Sequence, residues 1–171
     1  SMMAVARTLL EIGARRDLVL FDTFAGMTRP ESIDRDRGGT PAAVMLDRED
    51  MVHGATWAFS PLDDVQANLR STGYPADRIR FVSGDVADTL PREAPERIAI
   101  LRLDTDWYAS TRHELEQLYP RLAVGGVLIV DDYGHWEGAR LAVDEFLERT
   151  AAPILLHRID YTGRIGVKPA A

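Results

Sequence analysis

Residues 98–108 read IAILRLDTDWY, and residues 125–136 read GGVLIVDDYGHW. Each is an apolar run of strand length that stops on aspartates: Asp104 and Asp106 in the first, Asp131 and Asp132 in the second. Near-continuous apolar strands suit a parallel sheet covered on both faces. In an open sheet of that kind, ligands bind beyond the carboxyl ends of the strands. The two runs therefore predict both the sheet and the edge of it where the chemistry sits.

The flanking sequence fits this frame. Met3, Ala6, Leu9 and Leu10 follow helical spacing, and Gly13 is placed to cap that helix. DLVLFDTF (17–24) reads as a short buried strand from Leu18 to Phe21, ending on Asp22. Ser60-Pro61-Leu62-Asp63 carries helix-start residues, and Gly73 is a stop. DRIRFVSGD (77–85) is a strand leading into a loop at Gly84 and Asp85. A helix is expected over 108–122, a turn at Gly125-Gly126, and a second helix over 137–149. APILLHRI (152–159) and RIGVKP (164–169) finish the chain as strands around a short turn.

Strands alternating with helices predict a doubly wound α/β sheet. The short final turn makes it mostly parallel, with one antiparallel strand near the C-terminus. Residues 26–60 mix Gly, Pro and charge without a period, and are long for a loop inside a compact domain. Such stretches are commonly lids or binding loops. Neither a repeat nor a boundary divides the chain, so 1–171 reads as one domain with a lid-like insert.

A net charge of −7 without a basic run argues against nucleic-acid and anionic-membrane partners. The absence of cysteine excludes disulfides and thiolate metal sites. No apolar run approaches the roughly 20 residues of a membrane span. With no signal-peptide pattern at the start, a cytoplasmic location is expected.

Asp22, Asp85, Asp104 and the Asp131/Asp132 pair all fall at or just past strand ends. Crowded like charges need a proton or a cation to offset them. An all-oxygen set without His or Cys suits a hard cation such as Mg²⁺. Asp104 with at least one of Asp131 and Asp132 forms the predicted metal site. Alternation along a strand would turn one of that pair away. Asp106 reads more readily as the cap of the following helix. Asp22 either binds a ribose diol or merely terminates its strand. Tyr108, Tyr133 and His135, near the acid-ended strands, are candidate acceptor contacts. His53, His113 and His157 read as surface residues.

The stretch from Leu101 to Phe146, with LDTDWYAST and GGVLIVDDYG at its heart, resembles the macrocin O-methyltransferase (TylF-type) family. LFDTFAGM (20–27) and RFVSGDVADTLP (80–91) resemble that family's second- and third-strand motifs, in the same order. The resemblance implies a Rossmann-like methyltransferase fold, S-adenosylmethionine as donor and a small-molecule hydroxyl acceptor. It implies Mg²⁺ on Asp104, Asp131 and Asp132, the ribose on Asp22, and the adenine-side loop at Gly84-Asp85. Asp104 is the residue expected to be both ligand and general base. The insert matches a region that closes over substrate. A homo-oligomer is compatible with this reading.

One feature of the family has no counterpart. Its glycine-rich loop after the first strand, which holds the methionine end of the cofactor, would end where this sequence opens at Ser1. The resemblance therefore implies that the first strand is missing from this chain. That strand is central, between those ending at Asp22 and Asp104. The chain alone is expected to bind the cofactor weakly or not at all, which puts its own activity in question. Two other readings are a non-catalytic methyltransferase-like domain serving partner contacts, and a nucleotide-sugar glycosyltransferase, whose DxD motif Asp104-Thr105-Asp106 resembles.

Overall fold

The computed structural model describes residues 1–170. Helix α1 (Met2–Glu11) is followed by β1 (Leu18–Asp22), α2 (Ala42–Arg48), α3 (Leu62–Arg70), β2 (Ile79–Ser83) and α4 (Val86–Glu93). Then come β3 (Ile98–Leu103), α5 (Tyr108–Leu118), β4 (Leu122–Val130), α6 (Glu137–Thr150), β5 (His157–Arg158) and β6 (Arg164–Val167). Gly13 adopts φ 66° just past α1, and Ala14 N donates back to Leu9 O, the left-handed stop read from the sequence.

The strands form two sheets, β2-β1 and β3-β4-β6-β5. β1 with β2 and β3 with β4 are parallel, whereas β6 runs antiparallel to both β4 and β5. Thus one strand near the C-terminus is reversed, as the short turn requires. Among the described residues no strand joins β1 to β3. The seam falls where the resemblance places its central strand.

Alternation sorts the side chains. Leu101 and Leu103 of β3 lie in register with Leu128 and Val130 of β4, and all four are buried. They pack on Val86 and Leu90 of α4, Leu115 and Leu118 of α5, and Val143 and Phe146 of α6. Phe21 of β1 joins the same cluster. Leu18 and Leu20 turn the other way, joining Ile79 and Phe81 of β2, Ala6 of α1 and Leu69 of α3 in a second core. Helices therefore lie on both faces, the doubly wound pattern. The cover is incomplete on β3, where Ile100 is 57% exposed. The expectation of a fully sandwiched strand fails at that position, on the face that also carries Arg102.

Two local expectations are corrected. Gly125-Gly126 is not a turn before a strand; both lie within β4, which starts at Leu122, and Gly125 (φ 77°) sits where the pairing with β3 shifts register. Only His157–Arg158 of the stretch 152–159 forms a strand. The irregular stretch 26–60 holds α2, whose Ala42 and Leu46 pack with Trp107, Trp136 and Ala139 in a third apolar cluster.

Candidate active site

The acid-ended strands do converge. One oxygen from each of Asp104, Asp106 and Asp132 lies within 4.8 Å of the others. Asp104 and Asp106 follow the end of β3, Asp132 follows β4, and Asp131 N donates to Leu103 O, which extends the parallel ladder to the site. Alternation sets the two adjacent aspartates on opposite sides of the strand. Asp132 continues the inward row of Leu128 and Val130. Asp131 continues the outward row of Ile129, opposite Arg102, and is held by Arg102 Nη2 at 3.0 Å. Arg102 Nη1 pairs with Asp104.

Asp106 corrects the sequence reading. It is not the helix cap: Trp107 holds that position, and no side chain of its own caps α5. Asp106 adopts φ 65°, a left-handed conformation that aspartate tolerates better than most residues. Its spacing of two from Asp104, one side of a continuing strand, was the available signal.

Burial and crowding set the charges. Burial pushes Asp104 up to about 7; Arg102 draws it down, while Asp131 and Asp132 raise it. Burial, then the negative charge of Asp132, pushes Asp106 up to about 9. Asp132 is also raised, chiefly by burial, and His135 is among the groups that draw it down. Its Oδ2 is buried without a hydrogen-bond partner. A buried acceptor with nothing to accept from is uncommon and marks a place for a proton or a cation. Three hard oxygen donors, one of them unpartnered, fit a small divalent cation.

Below the cluster lies Glu114 of α5, 5% exposed, which accepts a hydrogen bond from Thr105 Oγ1 at 2.8 Å. Burial raises Glu114 from an ordinary 4.5 to about 8, Thr105 draws it down, and Asp104 raises it further. The folded chain thus keeps a proton that the unfolded chain releases. The stability from this group is full below about 4.5 and is lost as pH rises through about 8. Glu114→Gln keeps an acceptor for Thr105 and is expected to flatten this decline. Urea unfolding at pH 8 should show the variant more stable by on the order of 3 kcal/mol, with little difference at pH 4.5.

The insert forms the wall beside the cluster. Asp34, fully buried, accepts from Tyr108 N at 2.8 Å and Glu31 N at 2.7 Å, so the first turn of α5 is capped from 74 residues away. Burial raises the Asp34 carboxyl, and the two backbone donors oppose that rise. Trp107 Nε1 donates to Thr28 O at 2.9 Å, and Glu137 N donates to Arg35 O. Trp107 and Trp136 meet edge to face at 5.0 Å. Neither Asp34, Glu114 nor Arg102 was singled out by sequence reading; a lone charged residue in an irregular insert or a helix carries no periodic signal.

The other predicted residues are placed as follows. Asp22 is exposed at the end of β1, and its two hydrogen bonds, from Phe24 N at 2.8 Å and Thr23 Oγ1 at 3.5 Å, both use Oδ1. Gly84 (φ 137°) lies beside it, donating N–H to Asp22 O. Asp85 caps α4 through Ala87 N at 2.8 Å. Tyr108 does not line the carboxylate cluster; its hydroxyl donates to Glu145 at 2.7 Å in a groove between α5 and α6. Tyr133 donates to Asp144 at 2.6 Å and lies under Arg140 and Arg164. His135 Nδ1 meets the Tyr161 hydroxyl at 2.7 Å, joining the loop after β4 to the C-terminal hairpin. Of the three acceptor candidates, His135 is the one whose charge bears on the cluster.

Residues 1–165 match the family model described as Macrocin-O-methyltransferase (TylF). The chain is 39% identical over 143 residues to the 8-demethyl-8-(2,3-dimethoxy-alpha-L-rhamnosyl)-tetracenomycin-C 4'-O-methyltransferase of Streptomyces olivaceus, covering 83% of this chain and 51% of that protein. It is 34% identical over 163 residues to the mycinamicin III 3''-O-methyltransferase of Micromonospora griseorubida, covering 92% of this chain and 60% of that one. Among solved structures, the O-methyltransferase NovP superposes with a TM-score of 0.82 at 27% identity, over 98% of this chain and 66% of that chain. The chain thus spans little more than half the length of these curated relatives.

Proposed function

The chain belongs to the macrocin O-methyltransferase (TylF) family, and from that premise we propose that it carries the catalytic acids of an S-adenosylmethionine-dependent O-methyltransferase acting on a hydroxyl of a natural-product sugar or a similar secondary metabolite. The observation that carries this reading is the meeting of Asp104, Asp106 and Asp132 past the ends of two adjacent parallel strands. The acceptor class is supported by the relatives, one named for a rhamnosyl-bearing tetracenomycin and one for mycinamicin III. The relatives named above are O-methyltransferases, which favours methyl transfer over the glycosyltransferase reading of Asp104-Thr105-Asp106.

Asp104 is the proposed general base. It stands at the strand end with its side chain 44% exposed, so an acceptor hydroxyl can reach it. Its pKa near 7 suits an acid–base group working near neutral pH. With the cofactor bound, Asp104 would take the proton from the acceptor oxygen as the methyl–sulfur bond breaks and the thioether S-adenosylhomocysteine leaves. A divalent cation, when bound, would lower the pKa of an acceptor hydroxyl and fix its oxygen. Asp104 and Asp132 would hold it, with Asp106 or Asp131 as a further ligand. Asp22, Gly84 and Asp85 would hold the cofactor, Asp22 through its ribose hydroxyls. His135 would contact the acceptor.

The test is methyl transfer by the complete protein, followed by mass spectrometry of a deoxysugar-bearing acceptor. Treatment with EDTA is expected to reduce turnover by about 100-fold or more, and Mg²⁺ to restore it. Turnover indifferent to the chelator would remove the metal from the mechanism and leave the methyltransferase assignment standing. Absence of any methylated product across sugar and phenolic acceptors would remove the assignment.

A further inference from the structure

We propose that Arg102 is the resident counter-ion of the acidic site, and that it competes with a divalent cation for Asp104. The inference rests on the metal reading above and concerns how this chain holds its carboxylates when no cation is bound.

Arg102 lies on β3, opposite Ile129 of β4, two residues before Asp104 and on the same side as Asp131. Its two terminal nitrogens are divided between the strands: Nη1 goes to Asp104 Oδ2, and Nη2 goes to Asp131 Oδ2 at 3.0 Å. One guanidinium therefore bridges the carboxyl ends of β3 and β4. The side chain is 28% exposed, so the pair is only partly screened by water.

The bridge leaves the site in two unequal halves. Asp104 and Asp131 share the single positive charge of Arg102. Asp106 and Asp132 make no ion pair with it, and Asp132 Oδ2 is buried without a partner. A cation seated among Asp104, Asp106 and Asp132 would satisfy that orphan oxygen, yet it would share Asp104 with Arg102. Arginine cannot step aside by losing its proton, because the guanidinium stays charged across the accessible pH range. It can yield only by breaking its contact with Asp104 while keeping Asp131. Cation affinity in this chain is thus lowered both by that exchange and by repulsion from the fixed positive charge. In return, one guanidinium ties the ends of the two strands together.

The experiment is Mn²⁺ titration of the chain without cofactor, by calorimetry and by electron paramagnetic resonance of free Mn²⁺. Arg102→Met is expected to tighten Mn²⁺ binding by about tenfold or more. The cation-free variant should melt below wild type, and saturating Mn²⁺ should close the gap. Equal or weaker binding overturns the proposal. If Arg102→Met does not fold without cation, two readouts still decide. Arg102→Lys, whose ammonium reaches one carboxylate rather than two, should bind Mn²⁺ at least about twofold tighter; unchanged affinity overturns the proposal. In the wild-type chain, Mg²⁺ should shift the Arg102 side-chain Nε–H resonance; a static resonance at saturation overturns it. Binding to neither protein overturns the metal reading itself, and this inference with it, whereas equal binding to both overturns this inference alone.

Discussion

Asp104→Ala in the complete protein is expected to lower methyl transfer by about 1,000-fold or more while the chain remains folded. The substitution removes the proposed proton acceptor and a cation ligand at one stroke, and such roles are not replaced by neighbours held elsewhere. With Asp104 gone, Asp131 remains held by Arg102, and Asp106, pushed up to about 9 chiefly by burial, keeps its proton near neutral pH; burial raises Asp132 as well. The fold survives because Asp104 contributes one ion pair and no core packing. Its folded pKa of about 7 exceeds the ordinary 3.8, so its ionised form opposes folding above pH 7. The variant should therefore melt no lower than wild type at pH 8. Initial rates with S-adenosylmethionine and acceptor, beside thermal melts by circular dichroism, decide the matter. Turnover within tenfold of wild type would remove Asp104 from the chemistry.

Asp34→Ala is expected to have the largest effect on stability, about 3 kcal/mol. Asp34 is fully buried, and its two oxygens accept the backbone N–H groups of Tyr108 and Glu31. Alanine removes the acceptor of both part-buried N–H groups, and leaves a hole against the first turn of α6. The fit there is close: a Cβ on Gly138 would lie 1.9 Å from Asp34 Oδ1, so only glycine admits the carboxylate. Since Asp34 ties residues 26–60 to α5, its loss should loosen the insert before the sheet. Limited proteolysis should then cut within 26–60 at least about tenfold faster, and the urea midpoint should fall. A change of stability below about 0.5 kcal/mol would show that the insert is held by its apolar cluster alone.

Much of the architecture was legible because the signals are local. The apolar run VLIV (127–130), the helical spacing of Ala139, Ala142, Val143 and Phe146, and Gly13 after α1 each report on their own neighbourhood. The failures occurred where a distant part of the chain set the outcome. Gly125-Gly126 reads as a turn from composition, but pairing with β3 carries β4 through it. Trp107 and Trp136 gave no sign of being partners, because a residue in each of two loops forms no period.

The amino-acid order by itself determined that two parallel strands end in acid, and therefore at which edge of the sheet the chemistry lies. Alternation within one strand is a property of the backbone and needs no partner to be read. Only the tertiary structure decided which carboxylates meet. That choice depends on the β3–β4 register, which sets Arg102 beside Asp131, and on the left-handed turn at Asp106, which brings a third acid back toward Asp104 and Asp132. Both arise between elements, where no single stretch of sequence holds the information.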